Sequence, residues 1–208
     1  MRLPRGGSWS VVVSALCLLS ISNLAGEPIQ EVSSAASVAE GAAVDRAQCR
    51  VPDVELITAD AKPVRFYTDL VKDRTVVITF VFTTCTTICS PVAANVAHLQ
   101  ALLDDRMATD VNLVSVSIDP VTDTPGRLNA WAMMFEPEPG WSFVTGDKVF
   151  VDRLLKDLAV FTPTIEDHAP ILLVMNDRTG ACAYANALAP PEELADLVDR
   201  IDQEELTP

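Results

Sequence analysis

Two cysteines four residues apart, in Cys85-Thr-Thr-Ile-Cys89, follow an apolar, β-branched run at Val76–Phe82 (VVITFVF) and precede a segment with helical spacing. In open α/β sheets ligands bind at the carboxyl end of a strand. The start of the following helix leaves free N–H groups and a partial positive charge there, which favour a thiolate. Were the whole segment helical, the two Cα atoms would stand about 6 Å apart, within the ~4.4–6.8 Å that a disulfide spans. The pair can therefore form a disulfide, exchange with one, or hold a single soft metal ion between two sulfurs. A third candidate ligand is His168, in Glu166-Asp167-His168-Ala169-Pro170, just before the apolar run Ile171–Asn176. A lone histidine is more often a surface or satisfied polar group than a ligand, so spacing alone leaves its role open.

These residues need a scaffold, and the pattern predicts one. Val54–Thr58 and Val64–Phe66, joined through Asp60-Ala61-Lys62-Pro63, read as a hairpin. Val76–Phe82 reads as a strand buried on both faces. Pro91–Asp105 reads as a helix, with Val92, Val96, Leu99 and Leu103 on one side, and Leu113–Ile118 as the next strand. A second helix follows Asp123-Thr124-Pro125, where Thr124 can cap and Pro125 suits the first turn; its apolar face is Leu128, Trp131, Ala132 and Phe135. After a short strand, Asp147–Leu158 forms a third helix. Ile171–Asn176 and Ala181–Tyr184 flank the turn Asp177-Arg178-Thr179-Gly180, and a last helix from Pro191 buries Leu194, Leu197, Val198 and Ile201. A parallel βαβ unit closed by a hairpin and a C-terminal helix makes an α/β three-layer sandwich with a central mixed sheet.

The chain of 208 residues suffices for one domain with a real core plus an N-terminal extension. Hydrophobic residues at 49% against 21% charged exclude wholesale disorder, and a net charge of -14 argues against nucleic acid and against a polybasic membrane patch. Arg2 and Arg5, the apolar run Trp9–Leu24 and the small pair Ala25-Gly26 have the layout of an export signal or membrane anchor over residues 1–26. Residues 27–48, rich in Ala, Ser, Val and Glu, read as a flexible linker, leaving 49–208 as the folded domain. Cys17 lies in the leader after the bulky Leu16, which does not suit lipid attachment. Its removal leaves Cys49, Cys85, Cys89 and Cys182, four thiols that in an oxidising compartment must pair, bind metal or do redox chemistry.

Over about Val51 to Ile201 the chain resembles the Sco/SenC family of copper-binding, thioredoxin-like cytochrome c oxidase assembly proteins. The resemblance rests on four motifs in the family's order: Pro52-Asp53-x-Glu55-Leu56; Thr79-Phe80-x-Phe82-Thr83-x-Cys85-x-x-x-Cys89; Ser115-Val116-Ser117-Ile118-Asp119-Pro120-x-x-Asp123-Thr124-Pro125; and Asp167-His168. It implies that Cys85, Cys89 and His168 bind copper, as copper(I) or copper(II), and that the protein helps build the dinuclear copper site of cytochrome c oxidase. The implied partner is the oxidase's copper-binding subunit or another copper chaperone. Two departures stand out. The family places proline directly after the second cysteine, whereas here Ser90 intervenes before Pro91; and Pro170 occupies the cis-proline place of thioredoxins.

Two thiolates and an imidazole form a soft, open site from which an incoming thiolate can take the metal by stepwise exchange, the behaviour of a metallochaperone. The alternative is a thiol-disulfide reductase using Cys85 and Cys89 as its redox-active pair to keep an acceptor's copper-ligand cysteines reduced, which needs no histidine. The leader points to the bacterial periplasm, free or membrane-anchored, ahead of a mitochondrial intermembrane space. His98 faces away from the core side of its helix, Met133 and Met134 read as packing residues, and Asp119 and Asp123 read either as caps or as residues orienting the site. Cys49 and Cys182 remain as a candidate disulfide, provided their Cα atoms come within ~7 Å.

Overall fold

The computed structural model describes Cys49 and residues 51–203. The expected leader and linker, residues 1–26 and 27–48, lie outside these. The described strands are β1 (Glu55–Thr58), β2 (Pro63–Arg65), β3 (Thr75–Val81), β4 (Val111–Ser117), β5 (Trp141–Thr145), β6 (Ile171–Asn176) and β7 (Cys182–Asn186). The helices are α1 (Cys89–Leu103), α2 (Pro125–Ala132), α3 (Lys148–Asp157) and α4 (Pro191–Gln203). The strands form one mixed sheet in the order β2-β1-β5-β4-β3-β6-β7. β3, β4 and β5 run parallel, and β6 and β1 join this trio antiparallel on either side.

All seven residues of β3 are buried, as its unbroken apolar run requires of a strand covered on both faces. Val77 and Val81 face one core layer, shared with Val92, Val96 and Leu99 of α1, Leu128 and Trp131 of α2, and Leu194, Leu197 and Val198 of α4. Val76, Ile78 and Phe80 face the other, with Phe66, Leu70 and Val71 and with Val151, Leu154 and Leu155 of α3. The alternation puts helices on both faces and the sheet in the middle, which is the predicted α/β sandwich. Inside it, Thr79 and Ser115 share a hydrogen bond across β3–β4 at 2.9 Å, and the Trp141 indole N–H donates to the same Ser115 hydroxyl at 3.0 Å, whereas the buried Thr145 hydroxyl of β5 has no partner among the described residues.

Four local expectations are corrected. α1 starts at Cys89, two residues before Pro91, and passes into a 3-10 turn at Asp104–Arg106. Pro91 is tolerated because a first-turn residue has no intrahelical use for its N–H. The chain after Arg65 is a π-helical turn, Phe66–Val71, so Phe66 opens that turn instead of ending a strand. Met133 and Met134 are 60% and 62% exposed, hence not packing residues; at Met133 the backbone tightens from α to a 3-10 turn, which ends the helical phase that buried Trp131. The described residues contain no cis peptide bond, so Pro170 is trans. There Ile171 N–H donates to the Ala169 carbonyl across Pro170 at 2.8 Å, a three-residue turn whose central φ a proline already matches. Other expectations hold: Thr124 caps α2 by accepting from Arg127 N–H, with Pro125 in the first turn, and His98 is exposed.

Cys49 and Cys182 are joined in a disulfide, with Cα atoms 6.3 Å apart and a sequence separation of 133. Closing so long a loop restricts the unfolded chain. Substituting Cys49 with alanine is expected to lower the free energy of unfolding by ~2–4 kcal/mol, read as a lower urea midpoint for the domain, with the far-ultraviolet circular dichroism of the folded state unchanged.

Candidate metal and thiol site

The site grows from the end of β3. Ile118 N–H donates to the Val81 carbonyl at 2.9 Å, keeping β4 alongside to the last residue, and Cys85 N–H donates to the Phe82 carbonyl at 3.2 Å. Phe82-Thr83-Thr84-Cys85 is therefore a hydrogen-bonded turn that delivers Cys85 to the start of α1. The residue before the helix, Ile88, offers no side-chain cap. The Cys85 sulfur fills that place, accepting from Cys89 N–H at 3.4 Å, and it lies 3.6 Å from the Thr87 hydroxyl. A polarizable sulfur set among first-turn N–H groups is the arrangement that favours a thiolate.

The two thiols are unequal. Partial burial works against the Cys85 thiolate but is outweighed by hydrogen bonds from the Cys89 thiol, the backbone of Thr87 and Cys89 and the Thr87 hydroxyl, so its pKa falls to about 7. Cys89 is 1% exposed. Burial, its hydrogen bond to Cys85 and the negative charges of Cys85 and Asp123 push its pKa up to about 12. Around neutral pH one sulfur is thus ionised to a substantial fraction and partly accessible while the other keeps its proton inside the core.

His168 follows a 3-10 turn, Ile165–Asp167, and is 7% exposed. Its Nε2 lies 3.1 Å from the Phe80 carbonyl, and its ring meets the Phe80 ring edge-on with centroids 6.1 Å apart. Phe80 comes one residue past the Thr79–Leu172 pair, where the β6 pairing stops, so the imidazole occupies a carbonyl the sheet leaves open. A carbonyl only accepts; Nε2 therefore carries the proton and Nδ1 the lone pair. Burial lowers the His168 pKa below the usual imidazole value and so favours the neutral ring, an effect partly offset by the Phe80 hydrogen bond.

Cys85 and Cys89 are thus brought into direct contact. His168 sits beside the same strand end but is not gathered with them: among the described residues no group of three or more His, Cys, Asp or Glu side chains is arranged to hold a metal ion. The donor set is nonetheless of one chemical kind, two sulfurs and a neutral imidazole, suited to a soft or borderline metal. An imidazole whose second nitrogen donates to a backbone carbonyl is oriented as metal-binding histidines commonly are. Sequence reasoning overlooked the Phe80 carbonyl, which no side-chain pattern reveals, and Thr87, whose place inside the Cys85–Cys89 turn is the signal that could have found it.

Comparison with known proteins agrees with this architecture. The SCO1/SenC family profile matches residues 51–202. A SCO1/SenC family lipoprotein from Bacillus anthracis str. Ames is 26% identical, with a TM-score of 0.63 over 74% of this chain and 95% of that one. The copper-bound ScoI of Arabidopsis thaliana shares the fold at 22% identity and a TM-score of 0.60, over 72% of this chain and 96% of its own. Among curated sequences, the SCO1 protein homolog of Bacillus subtilis (strain 168) is 38% identical over 68 residues, which is 32% of this chain and 35% of that protein. The curated relatives are matched over 55% of their length at most. With the profile spanning the whole domain from the opening hairpin to the last helix, the chain belongs to the SCO1/SenC family.

Proposed function

We propose that this domain is a copper metallochaperone which takes one copper ion through Cys85, Cys89 and His168 and passes it to the dinuclear copper site of cytochrome c oxidase, from an exported, periplasm-facing position. The observation that carries the proposal is the state of the three side chains before metal arrives: a half-buried low-pKa sulfur, a buried protonated sulfur whose own backbone N–H donates to the first, and a buried neutral imidazole with Nδ1 free. Copper is the cargo, a soft ion that two thiolates and an imidazole retain while leaving a coordination position for an acceptor thiolate. Cys85 makes the first contact, Cys89 yields its proton to complete the pair, and His168 presents Nδ1 with its ring held by Phe80. Copper bound to the Arabidopsis relative supports the choice of metal.

The inequality of the thiols also supports a second reading, a disulfide reductase. BsSco, a Sco family member of the same fold, has a disulfide switch. In this reading Cys85 thiolate attacks one sulfur of an acceptor disulfide, forming a mixed disulfide and releasing the acceptor's other sulfur as thiolate. Cys89 then attacks the Cys85 sulfur, the second acceptor thiolate leaves, the Cys89 proton passes to a departing thiolate, and the domain ends oxidised at Cys85–Cys89.

The two readings part on histidine. In the chaperone reading, the reduced domain binds one copper(II) per chain with a thiolate charge-transfer band, and His168→Ala abolishes that band while leaving disulfide reduction intact. Weak copper binding indifferent to His168→Ala, beside full reduction of a protein disulfide, would leave the reductase alone. A second expectation concerns order among the thiols. In the copper-free reduced domain, iodoacetamide is expected to label Cys85 with a rate that rises through pH about 7 and leave Cys89 unlabelled, read by peptide mass analysis; preferential labelling of Cys89 would reverse the assignment.

A further inference from the structure

Asp123 is fully buried, at 0% exposure, in the turn between β4 and α2, and its side chain reaches across to the turn that carries Cys85. One carboxylate oxygen accepts from Thr83 N–H at 3.2 Å and from the Thr83 hydroxyl; the other accepts from the same N–H at 3.1 Å and from the Ser117 hydroxyl at 2.7 Å. Its own backbone N–H donates to the Asp119 carbonyl at 2.8 Å, and Ser117 Oγ also accepts from Asp119 N–H at 3.2 Å. The carboxylate is therefore fixed to the end of β4 on one side and spends its remaining capacity on a single residue, Thr83, on the other.

Thr83 is the second residue of the Phe82–Cys85 turn. Held by both its backbone N–H and its side chain, it has little freedom to rotate, and the direction in which the chain leaves it decides where the Cys85 sulfur stands relative to Cys89 N–H. No other side chain of the β4–α2 turn grips this segment so closely; the Arg127 guanidinium only grazes the Thr83 hydroxyl at 3.5 Å. An arrangement confined to capping α2 would not need this grip, because Thr124 already caps that helix.

We infer that Asp123 is a positioning residue for the thiol pair, acting through Thr83 to hold Cys85 where it can share a ligand with Cys89. The copper arm of this inference rests on the chaperone reading; the geometric arm does not. Outer partners that orient a metal ligand typically account for 10–100-fold in affinity, and that is the loss expected here.

The test compares three variants with wild type in the full chain, each checked for native circular dichroism. Asp123→Asn keeps the volume but replaces one acceptor with a donor facing the Thr83 N–H and one hydroxyl. It is expected to weaken copper(II) binding ~10–100-fold, to shift the thiolate charge-transfer band, and in the copper-free protein to change the alkylation rate of Cys85 at fixed pH. Thr124→Ala loosens the same helix start without touching Thr83, and is expected to lower the Tm while leaving the band and the Cys85 rate as in wild type. If Asp123→Asn does not fold, Thr83→Val, which removes only the hydroxyl contact, decides the matter by moving both readouts in the same direction to a smaller extent.

Wild-type affinity, band and Cys85 rate in a folded Asp123→Asn, or in Thr83→Val where that variant decides, would overturn the inference. So would equal shifts in Thr124→Ala. Failure of the wild-type protein to bind copper would instead count against the proposed function, with the Cys85 rates in copper-free protein still judging Asp123.

Discussion

The parallel pairing of β3 with β4 governs the rest of the molecule. Seven consecutive residue pairs, Thr75↔Val111 through Val81↔Ser117, bring both strands to the same level at their carboxyl ends. A shift of one residue would turn every β3 side chain to the other core layer, exchanging Val77 and Val81 for Val76, Ile78 and Phe80 against α1, α2 and α4. It would also separate the two turns that leave these strands. Because the register is pinned by two filled cores, the Cys85 turn and the Asp123 turn emerge side by side, and a buried carboxylate can reach a backbone N–H forty residues away in sequence.

The same strand end accounts for the unequal treatment of three polar side chains. Cys85 projects from a turn partly open to water among N–H groups, Cys89 begins a helix whose inner face is core, and His168 fills the place beside Phe80 where β6 has stopped pairing. Each environment comes from backbone geometry common to α/β proteins. What distinguishes this chain is which side chain each position received: a thiol at the open turn, a thiol under the helix, and an imidazole against a free carbonyl.

Much of this was readable from residue order alone, because buried strands and amphipathic helices write their periods directly into the sequence. The run VVITFVF, the α1 spacing and the Asp123-Thr124-Pro125 helix start each led to an element observed at that place. The misreadings share a cause: they fall where local backbone form departs from an ideal period. Phe66 with Leu70 and Val71, four and five residues further on, buries one side of a single π-helical turn, too short a segment to show a helical period. Met133 and Met134 continue an α-helical pattern that the chain abandons, and Glu136, in the left-handed region at φ 48°, ends the turn. The isomer of the bond before Pro170 depends on tertiary surroundings, not on residue type. Of the three sequence-selected site residues, the cysteines meet as expected, while His168 is near yet engaged elsewhere, because the carbonyl that engages it has no signature in the sequence.

The Cys49–Cys182 disulfide gives the domain a fore and an aft. Cys182 pairs with Met175, which pairs with Val76, so the crosslink is level with the beginning of β3. Cys85 emerges beyond Val81, five residues further along that strand, or about 17 Å at the usual rise. The polypeptide arriving at Cys49 is moored at the stern, and the thiols ride at the bow. A tether pulling on this domain from its amino-terminal side would load the covalent crosslink at the sheet's trailing end and leave the Cys85 turn unstrained and facing outward.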